Sequence, residues 1–262
     1  MTDEESKFKK TYRVITGRKG LIGIIVAIVF LWWLIPELGV VSTFRFPRIT
    51  SVITEMFRDA YLIQAQVTLA EVFIGFALGV SAGVVVGTLA AYSERAKRAL
   101  APISLFFASI KKSTLAPIFV LWVGYGILPL VLVAALICFF PVLICTLDGL
   151  TLVESNYLEM MRSIQASRWH IYKKLRFPNA LPKIFDGLKI SAALAVVGAV
   201  VGEFLIGLSG IGTMLQVGTW MAQSRIVYAS VIWMAILGIS LYVIVLIVER
   251  ILLPPPLRRK EI

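Results

Sequence analysis

Long apolar runs separated by short polar blocks make up most of this chain. Six runs carry few charged side chains, and they cover about residues 20–42, 67–91, 100–123, 127–149, 184–207 and 227–253. A helix of about 20 apolar residues crosses the hydrocarbon core of a bilayer. Because lipid cannot satisfy exposed backbone polar groups, spanning segments of this kind are helical. The pattern predicts an all-α membrane protein with six transmembrane helices.

Composition supports a membrane protein and argues against a soluble one. Hydrophobic residues make up 59% of the 262 residues, and the mean hydropathy is +0.89. The net charge of +11 lies between the apolar runs and is not spread over a folded surface, so it does not indicate a nucleic-acid partner. We expect the lipid bilayer to be the main surroundings of this chain.

Basic residues fall mainly in alternate connections. Twenty of the 26 Lys and Arg residues lie in the N-terminal tail, the turn after the second span, the connection after the fourth and the C-terminal end. The other connections hold only Arg45, Arg48, Arg58 and Arg225, and Lys111 and Lys112 fall within the third span. The positive-inside rule therefore predicts that both termini are cytoplasmic. The expected organisation is a tail at 1–19, a transmembrane domain at 20–253 and a second tail at 254–262.

Two connections on the outer side are long enough to hold structure. Residues 43–66 are polar and partly amphipathic, which predicts a short helix, and residues 208–226 form a second outer element. Glycines recur within spans two and five: Gly75, Gly79, Gly83, Gly87, Gly198 and Gly202. Such spacing allows transmembrane helices to approach closely, so we expect these two spans in the packed core of the bundle.

The connection at 151–183 is the most informative part of the sequence. Its composition is helical from Glu154 to Arg176, with a polar break at 165–168. The segment 177–182 contains two prolines and is predicted to end helicity, with Pro182 in the first turn of span five. Two short helices joined by a bend should therefore lie at the cytoplasmic surface. They either rest on lipid headgroups or insert into a groove of a partner protein.

Residues 159–169 (EMMRSIQASRW), followed by 175–182 (LRFPNALP), resemble the EAA loop of ABC importer permeases. The resemblance implies the MetI-like fold with a cytoplasmic coupling helix, which docks into a cleft of a separate ATPase. It places the ATPase contacts at Glu159, Met160, Met161, Ile164, Gln165, Ala166, Ser167 and Trp169. ATP and magnesium would then bind the partner subunit, with no cofactor in this chain. It further implies a second permease copy, an extracytoplasmic substrate-binding protein and a bacterial inner membrane.

Three residues depart from the family pattern. Met160 and Met161 replace alanines, and Gln165 replaces a glycine. Glycine tolerates a left-handed backbone that costs other residues free energy. Either the bend therefore uses ordinary dihedral angles, or the cleft of the cognate ATPase differs. Larger side chains at 160 and 161 should also narrow the choice of ATPase.

Other segments are similar to particular branches of this family. Residues 115–126 (LAPIFVLWVGYG) look like the third span of nitrate, sulfonate and taurine permeases. Residues 200–204 (VVGEF) are closer to permeases for pyrimidine precursors and riboflavin. The resemblance thus implies an aromatic or heterocyclic vitamin-like substrate first, then a sulfonate such as taurine, then nitrate.

Polar groups inside the spans are candidates for the translocation pathway because buried charge is costly in lipid. The candidates are Lys112, Ser113, Thr114, Pro117, Trp122 and Glu203. Lys112 either lines the pathway or extends to the cytoplasmic interface. Glu203 either acts at an outer gate or pairs with an arginine or a backbone amide. We expect Glu71 and Asp148 to be interfacial or capping residues.

Catalysis within this chain is not expected. There is no phosphate-binding loop of the GxxxxGK[ST] type, and His170 is the only histidine. We therefore expect a transporter subunit and no enzyme. The alternative is a transporter driven by an ion gradient, which usually carries carboxylates or histidines near the middle of its spans. We expect none there in this sequence.

Overall fold

The computed structural model describes residues 18–39, 42, 44–110, 112–153, 155–206 and 209–253, and these residues form helices and no strand. The helices, in chain order, are α1 (Arg18–Glu37), α2 (Ile49–Met56), α3 (Asp59–Ala91), α4 (Glu94–Ser109), α5 (Ala116–Val123), α6 (Ile127–Thr151), α7 (Ser155–Ser163), α8 (Arg168–Ile171), α9 (Phe177–Ile206), α10 (Ile211–Trp220) and α11 (Ser224–Leu252). The predicted all-α class is confirmed, and both long outer segments contain a helix, α2 and α10.

Four stretches within the described residues are long and apolar enough to cross a membrane. They are α3, α6, the run Arg168–Ile206 and α11. The apolar segment Val26–Glu37 of α1 is shorter than these four stretches. The all-helical bundle with several spans is therefore established, and the count of six spans stays a prediction.

The predicted third span, 100–123, is not a single helix. The α4 helix ends at Ser109, a 3₁₀ turn covers Lys112–Leu115, and α5 begins at Ala116. Pro117 lies in the first turn of α5, where its missing N–H costs nothing. Pro117 and the polar residues just before it favour the start of a second helix here over one continuous helix.

The core of the bundle is α6 packed between α3 and α9. A Cβ atom added to Gly75 would lie 2.6 Å from the Cβ of Ala134 on α6, and one added to Gly198 on α9 would lie 2.9 Å from the Cα of Ala134. The glycines of α3 that approach α6 in this way are Gly75, Gly79, Gly83 and Gly87. Four-residue spacing places them on one helix face. The predicted close packing of spans two and five is confirmed.

Helicity continues without a stop from Arg168 to Ile206. The predicted end of helicity at 177–182 is therefore wrong. A π turn at Tyr172–Arg176 precedes the prolines, and the N–H of Phe177 donates to the carbonyl of Tyr172 five residues back. In a regular α-helix the ring of Pro178 would meet the carbonyl four residues earlier. The wider π turn shifts the carbonyls before Pro178 out of the regular α-helical hydrogen-bond pattern. The helix can therefore continue past this proline.

Candidate functional site

The bend between α7 and α8 is closed by backbone hydrogen bonds. The N–H of Gln165 donates to the carbonyl of Arg162 over 2.9 Å, and the N–H of Ala166 donates to the carbonyl of Met161 over 3.0 Å. This pair of bonds is a Schellman motif, in which the residue after the helix end adopts a left-handed conformation. The bend is therefore a defined structure and not a loose loop.

Gln165 takes the left-handed position of that motif, with φ at 52°. The alternative that the bend uses ordinary dihedral angles is wrong. A left-handed conformation costs a residue with a Cβ atom about 1 kcal/mol. The chain thus keeps the geometry for which glycine is suited, but it presents a long polar side chain there.

The second helix of the bend begins with a side-chain cap. The hydroxyl of Ser167 accepts a hydrogen bond from the N–H of His170 over 3.2 Å, which satisfies one backbone donor in the first turn of α8. Both arms of the bend are thus terminated by specific hydrogen bonds, α7 by backbone and α8 by a serine.

The predicted ATPase-contact residues lie together on the bend, and most of them are exposed. Met160, Ile164 and Trp169 are large apolar side chains, and Trp169 is 65% exposed. The polar members Glu159, Gln165 and Ser167 are also exposed, Ala166 is half-buried and Met161 is buried. An apolar surface rimmed by polar groups is typical of a site that contacts another molecule.

An aromatic cluster connects the bend to the end of α3. The rings of Trp169 and Tyr172 stack with centroids 5.6 Å apart, and Tyr172 also contacts Tyr92, just after α3, at 5.4 Å. Phe177 contacts Tyr172 at 5.8 Å. Aromatic pairs of this kind contribute about 0.5–1.5 kcal/mol each beyond area burial. A displacement of the bend would therefore be transmitted to α3 and to α9 through these ring contacts.

The candidates around the third predicted span lie at its break. Lys112 begins the 3₁₀ turn, and the side chains of Lys112 and Ser113 lie outside the part of the chain described. Thr114 and Pro117 are exposed. Trp122 is 72% exposed and contacts Phe119 edge to face.

Glu203 is buried and joins three helices. Its carboxylate accepts hydrogen bonds from the hydroxyl of Thr68 and from the N–H of Gly212, both over 2.6 Å. Thr68 also accepts from the N–H of Ile211 over 2.8 Å. The carboxylate thus lies at the positive N-terminal end of α10. This placement favours the alternative in which Glu203 pairs with a backbone amide.

Glu71 lies beside Glu203, inside the bundle. Its side chain is fully buried in α3 and faces the Glu203 carboxyl group. Neither of its oxygens meets a hydrogen-bond partner among the described residues. The helix α3 begins at Asp59, earlier than the apolar pattern indicates, so Glu71 is buried within a helix and does not cap its start. The expectations of an interfacial Glu71 and of no carboxylate near the middle of a span stay predictions.

The sequence also gave no sign of an ion pair between α9 and α11. The Nζ of Lys189 lies 2.9 Å from the Oε2 of Glu249 and 3.6 Å from Oδ1 of Asp186. A cavity of about 610 Å³ next to this pair is lined by Lys183 and Tyr242, among others. Lys189 lies well within α9.

A furrow between α9 and α11 continues from that cavity, whose walls include charged side chains, into an apolar one. The apolar cavity measures about 470 Å³, and its walls include Val197, Met234 and Gly238. Ala193 lines both cavities. One face of the bundle therefore offers a groove that is charged at one end and apolar at the other.

A bundle of long apolar helices with an exposed two-helix bend is typical of a multi-pass membrane protein. Residues 75–254 match the family described as binding-protein-dependent transport system inner membrane component. The chain belongs to this family and is an ABC importer permease of the inner membrane. The alternative of an ion-gradient-driven transporter is thereby set aside.

Individual relatives agree with this membership. The chain is 36% identical to the formylaminopyrimidine transport permease protein ThiX of Halalkalibacterium halodurans, over 71% of this chain and 75% of that protein. It is 33% identical over 90% of its length to SsuC of Bacillus subtilis, covering 87% of that protein, whose name assigns it provisionally to aliphatic sulfonate transport.

The fold is similar to that of a permease chain in an inward-facing structure of the MetNI methionine ABC transporter. The match has a TM-score of 0.64 at 19% identity and covers 76% of this chain and 96% of that chain. It supports the MetI-like fold that the resemblance of the 159–182 segment implies.

Proposed function

We propose that this permease carries a small solute inward through a dimer of identical subunits, with its α7–α8 bend docked in a separate ATPase. The observation that carries the proposal is the exposed apolar surface on that bend, formed by Met160, Ile164 and Trp169. A helix resting on lipid headgroups has no need of a fixed bend. A cleft in a protein does require fixed geometry, which two capped helix ends supply.

Coupling would proceed through the continuous helix that follows the bend. The α8 helix, the π turn and α9 form one run of 39 residues, so a displacement of α8 is transmitted directly to α9. The α9 helix alone has 30 residues and is about 45 Å long. Its far end meets α10, where Glu203 holds the first turn. ATP-driven closure of the partner would thus reach the opposite end of the bundle.

The outer segments 43–66 and 208–226 would receive the substrate-binding protein, with the termini and the bend in the cytoplasm. One cavity of about 550 Å³ lies between these segments and includes Arg48 and Arg225 in its walls. Binding of the loaded partner there would place the solute over the bundle.

The solute proposed first is an aromatic or heterocyclic vitamin-like compound, and a sulfonate such as taurine, or nitrate, is the alternative. The resemblance to ThiX supports the first, and that to SsuC the alternative. The α9–α11 furrow fits an apolar ring with a polar substituent, because one end is charged and the other apolar. Cavities of this size hold small molecules.

The test is purification of a tagged copy from its native host in mild detergent. We expect a stoichiometric ATPase subunit with the wild type and its loss with Trp169→Ala or Ile164→Asp. Trp33→Ala is the matched control, because Trp33 is an exposed tryptophan of α1 at 53% exposure, and it should retain the ATPase. Retention of the ATPase by both bend variants would contradict docking through this surface.

A further inference from the structure

Two residues with a Cβ atom adopt a left-handed backbone conformation in the described residues. They are Gln165 at φ 52° and Ala222 at φ 53°. Ala222 ends α10 in the same way that Gln165 ends α7. The N–H of Ala222 donates to the carbonyl of Thr219, and the N–H of Gln223 donates to that of Gly218. The chain therefore contains two Schellman motifs of matching backbone geometry, which differ in the side chain that each presents.

The two side chains differ in what they offer to a partner. Alanine adds one methyl group at its position, whereas Gln165 carries an exposed amide with both donor and acceptor groups. That amide lies at the tip of the bend, directly after the exposed Ile164 and four residues before Trp169. A polar side chain thus stands between the apolar side chains that form the docking surface of the proposed function.

We propose that the Gln165 side-chain amide is a specificity-determining contact of the α7–α8 bend, which hydrogen-bonds to a polar group inside the cleft of the cognate ATPase. A residue held in a sparsely populated conformation at an exposed interaction surface is a candidate for function. The Gln165 side chain is exposed at the tip of the bend, between the exposed side chains of Ile164 and Trp169, and a partner docked on this surface meets it. The inference rests on the proposed ATPase docking.

The exposed side chains of the bend predict which groups line the cleft that would bind it. It combines pockets for Ile164 and Trp169 with a donor or acceptor, such as a backbone carbonyl or a serine hydroxyl, opposite residue 165. A cleft that fits a glycine closely has no room for this side chain. The cognate ATPase should therefore be distinguished from ATPases whose cleft is closed at that point.

Three variants separate backbone strain from the amide contact. Gln165→Gly removes both the strain and the amide, and Gln165→Met keeps a side chain of similar length without hydrogen-bonding groups. Ala222→Gly removes the same strain in a motif on another segment. The measurements are thermal unfolding of the purified permease and affinity for the ATPase that co-purifies with the wild type, both in detergent without the binding protein.

Gln165→Gly and Ala222→Gly should each raise the unfolding temperature by about 2–4 °C, while Gln165→Met leaves it unchanged. Affinity for the ATPase should fall about 2- to 10-fold in both Gln165 variants, as expected for one lost hydrogen bond, and should stay at the wild-type value in Ala222→Gly. Equal affinity of wild type, Gln165→Gly and Gln165→Met would overturn the proposal while leaving ATPase docking intact. A wild type that binds no ATPase would overturn the docking itself.

Discussion

Lys189 of α9 and Glu249 of α11 form an ion pair with an Nζ to Oε2 distance of 2.9 Å, and their side chains are only 15% and 17% exposed. Asp186, one turn before Lys189 on α9, lies 3.6 Å from the same ammonium group. One cation is therefore shared between a carboxylate of its own helix and one of the facing helix. This arrangement fastens α9 to α11 beside the polar end of the furrow.

Removal of the cation alone should destabilise the bundle. Lys189→Met leaves the carboxylates of Asp186 and Glu249 close together without the ammonium group between them. We therefore expect a loss of about 2–4 kcal/mol in the free energy of unfolding. The double variant Lys189→Met with Glu249→Met should lose less, because no unpaired charge remains at position 249. Denaturant unfolding in detergent, analysed as a double-mutant cycle, measures the difference.

Exchange of the two charges is a sharper version of this test. Lys189→Glu combined with Glu249→Lys restores the pair across the helices, but it places a glutamate one turn from Asp186. The exchanged protein should therefore remain less stable than the wild type. Full recovery of stability by the exchange would mean that Asp186 does not contribute to holding Lys189.

Glu203 and Glu71 should respond differently to the same substitution by glutamine. In Glu203→Gln one carboxylate oxygen becomes an NH₂ donor, so one of the two hydrogen bonds to the charged group, from Thr68 or from the N–H of Gly212, is lost, at about 1–3 kcal/mol. In Glu71→Gln the new N–H group gains an acceptor in the Glu203 carboxylate, and stability should be unchanged or higher. Hydrogen exchange of the α10 amides measures both effects. A loss of protection in Glu71→Gln equal to that in Glu203→Gln would contradict this reading of the pair.

The glycine pattern shows what sequence could predict here. A repeat of four residues is a local property of one helix, so Gly75, Gly79 and the following glycines identify the packed face of α3 without knowledge of its partner. The helical class and the bend at 165–168 follow from equally local patterns. For the same reason, the exposed ATPase-contact candidates fall together on one short segment.

The errors arise where a property depends on distant parts of the chain. Thr68 and Glu203 are 135 residues apart in sequence, and only the packing of α3 against α9 brings Glu203 beside Thr68 and Glu71. Prolines such as those at 178 and 182 usually end a helix, but here a π turn before them allows the helix to continue. Glutamine gives no local sign of a left-handed conformation, because it is ordinary in helices, and only the family pattern with its glycine at this position raised that alternative.

Packing at the glycine face can be tested with a matched pair of alanine substitutions. In Gly79→Ala the new methyl group would lie 2.8 Å from the Cβ of Cys138, so α3 and α6 must separate, at about 1–3 kcal/mol. In Gly238→Ala the nearest heavy atom is 4.0 Å away, and the removal of a helical glycine should leave stability equal or higher. Thermal unfolding in detergent compares the two, and equal unfolding temperatures would contradict close packing of α3 on α6.

The α9–α11 furrow can be tested as the wall of the solute pathway by filling it. Ala193 is exposed and lines both the charged and the apolar cavity, so Ala193→Trp places an indole ring at their junction. We expect uptake of the transported solute to fall at least 10-fold, as the passage is blocked, while the ATPase still co-purifies. Ala77→Trp is the control, because it adds the same ring to an exposed position of α3. Wild-type uptake in Ala193→Trp would exclude the furrow from the pathway, and loss of the ATPase with uptake would mean that the substitution disturbs assembly instead.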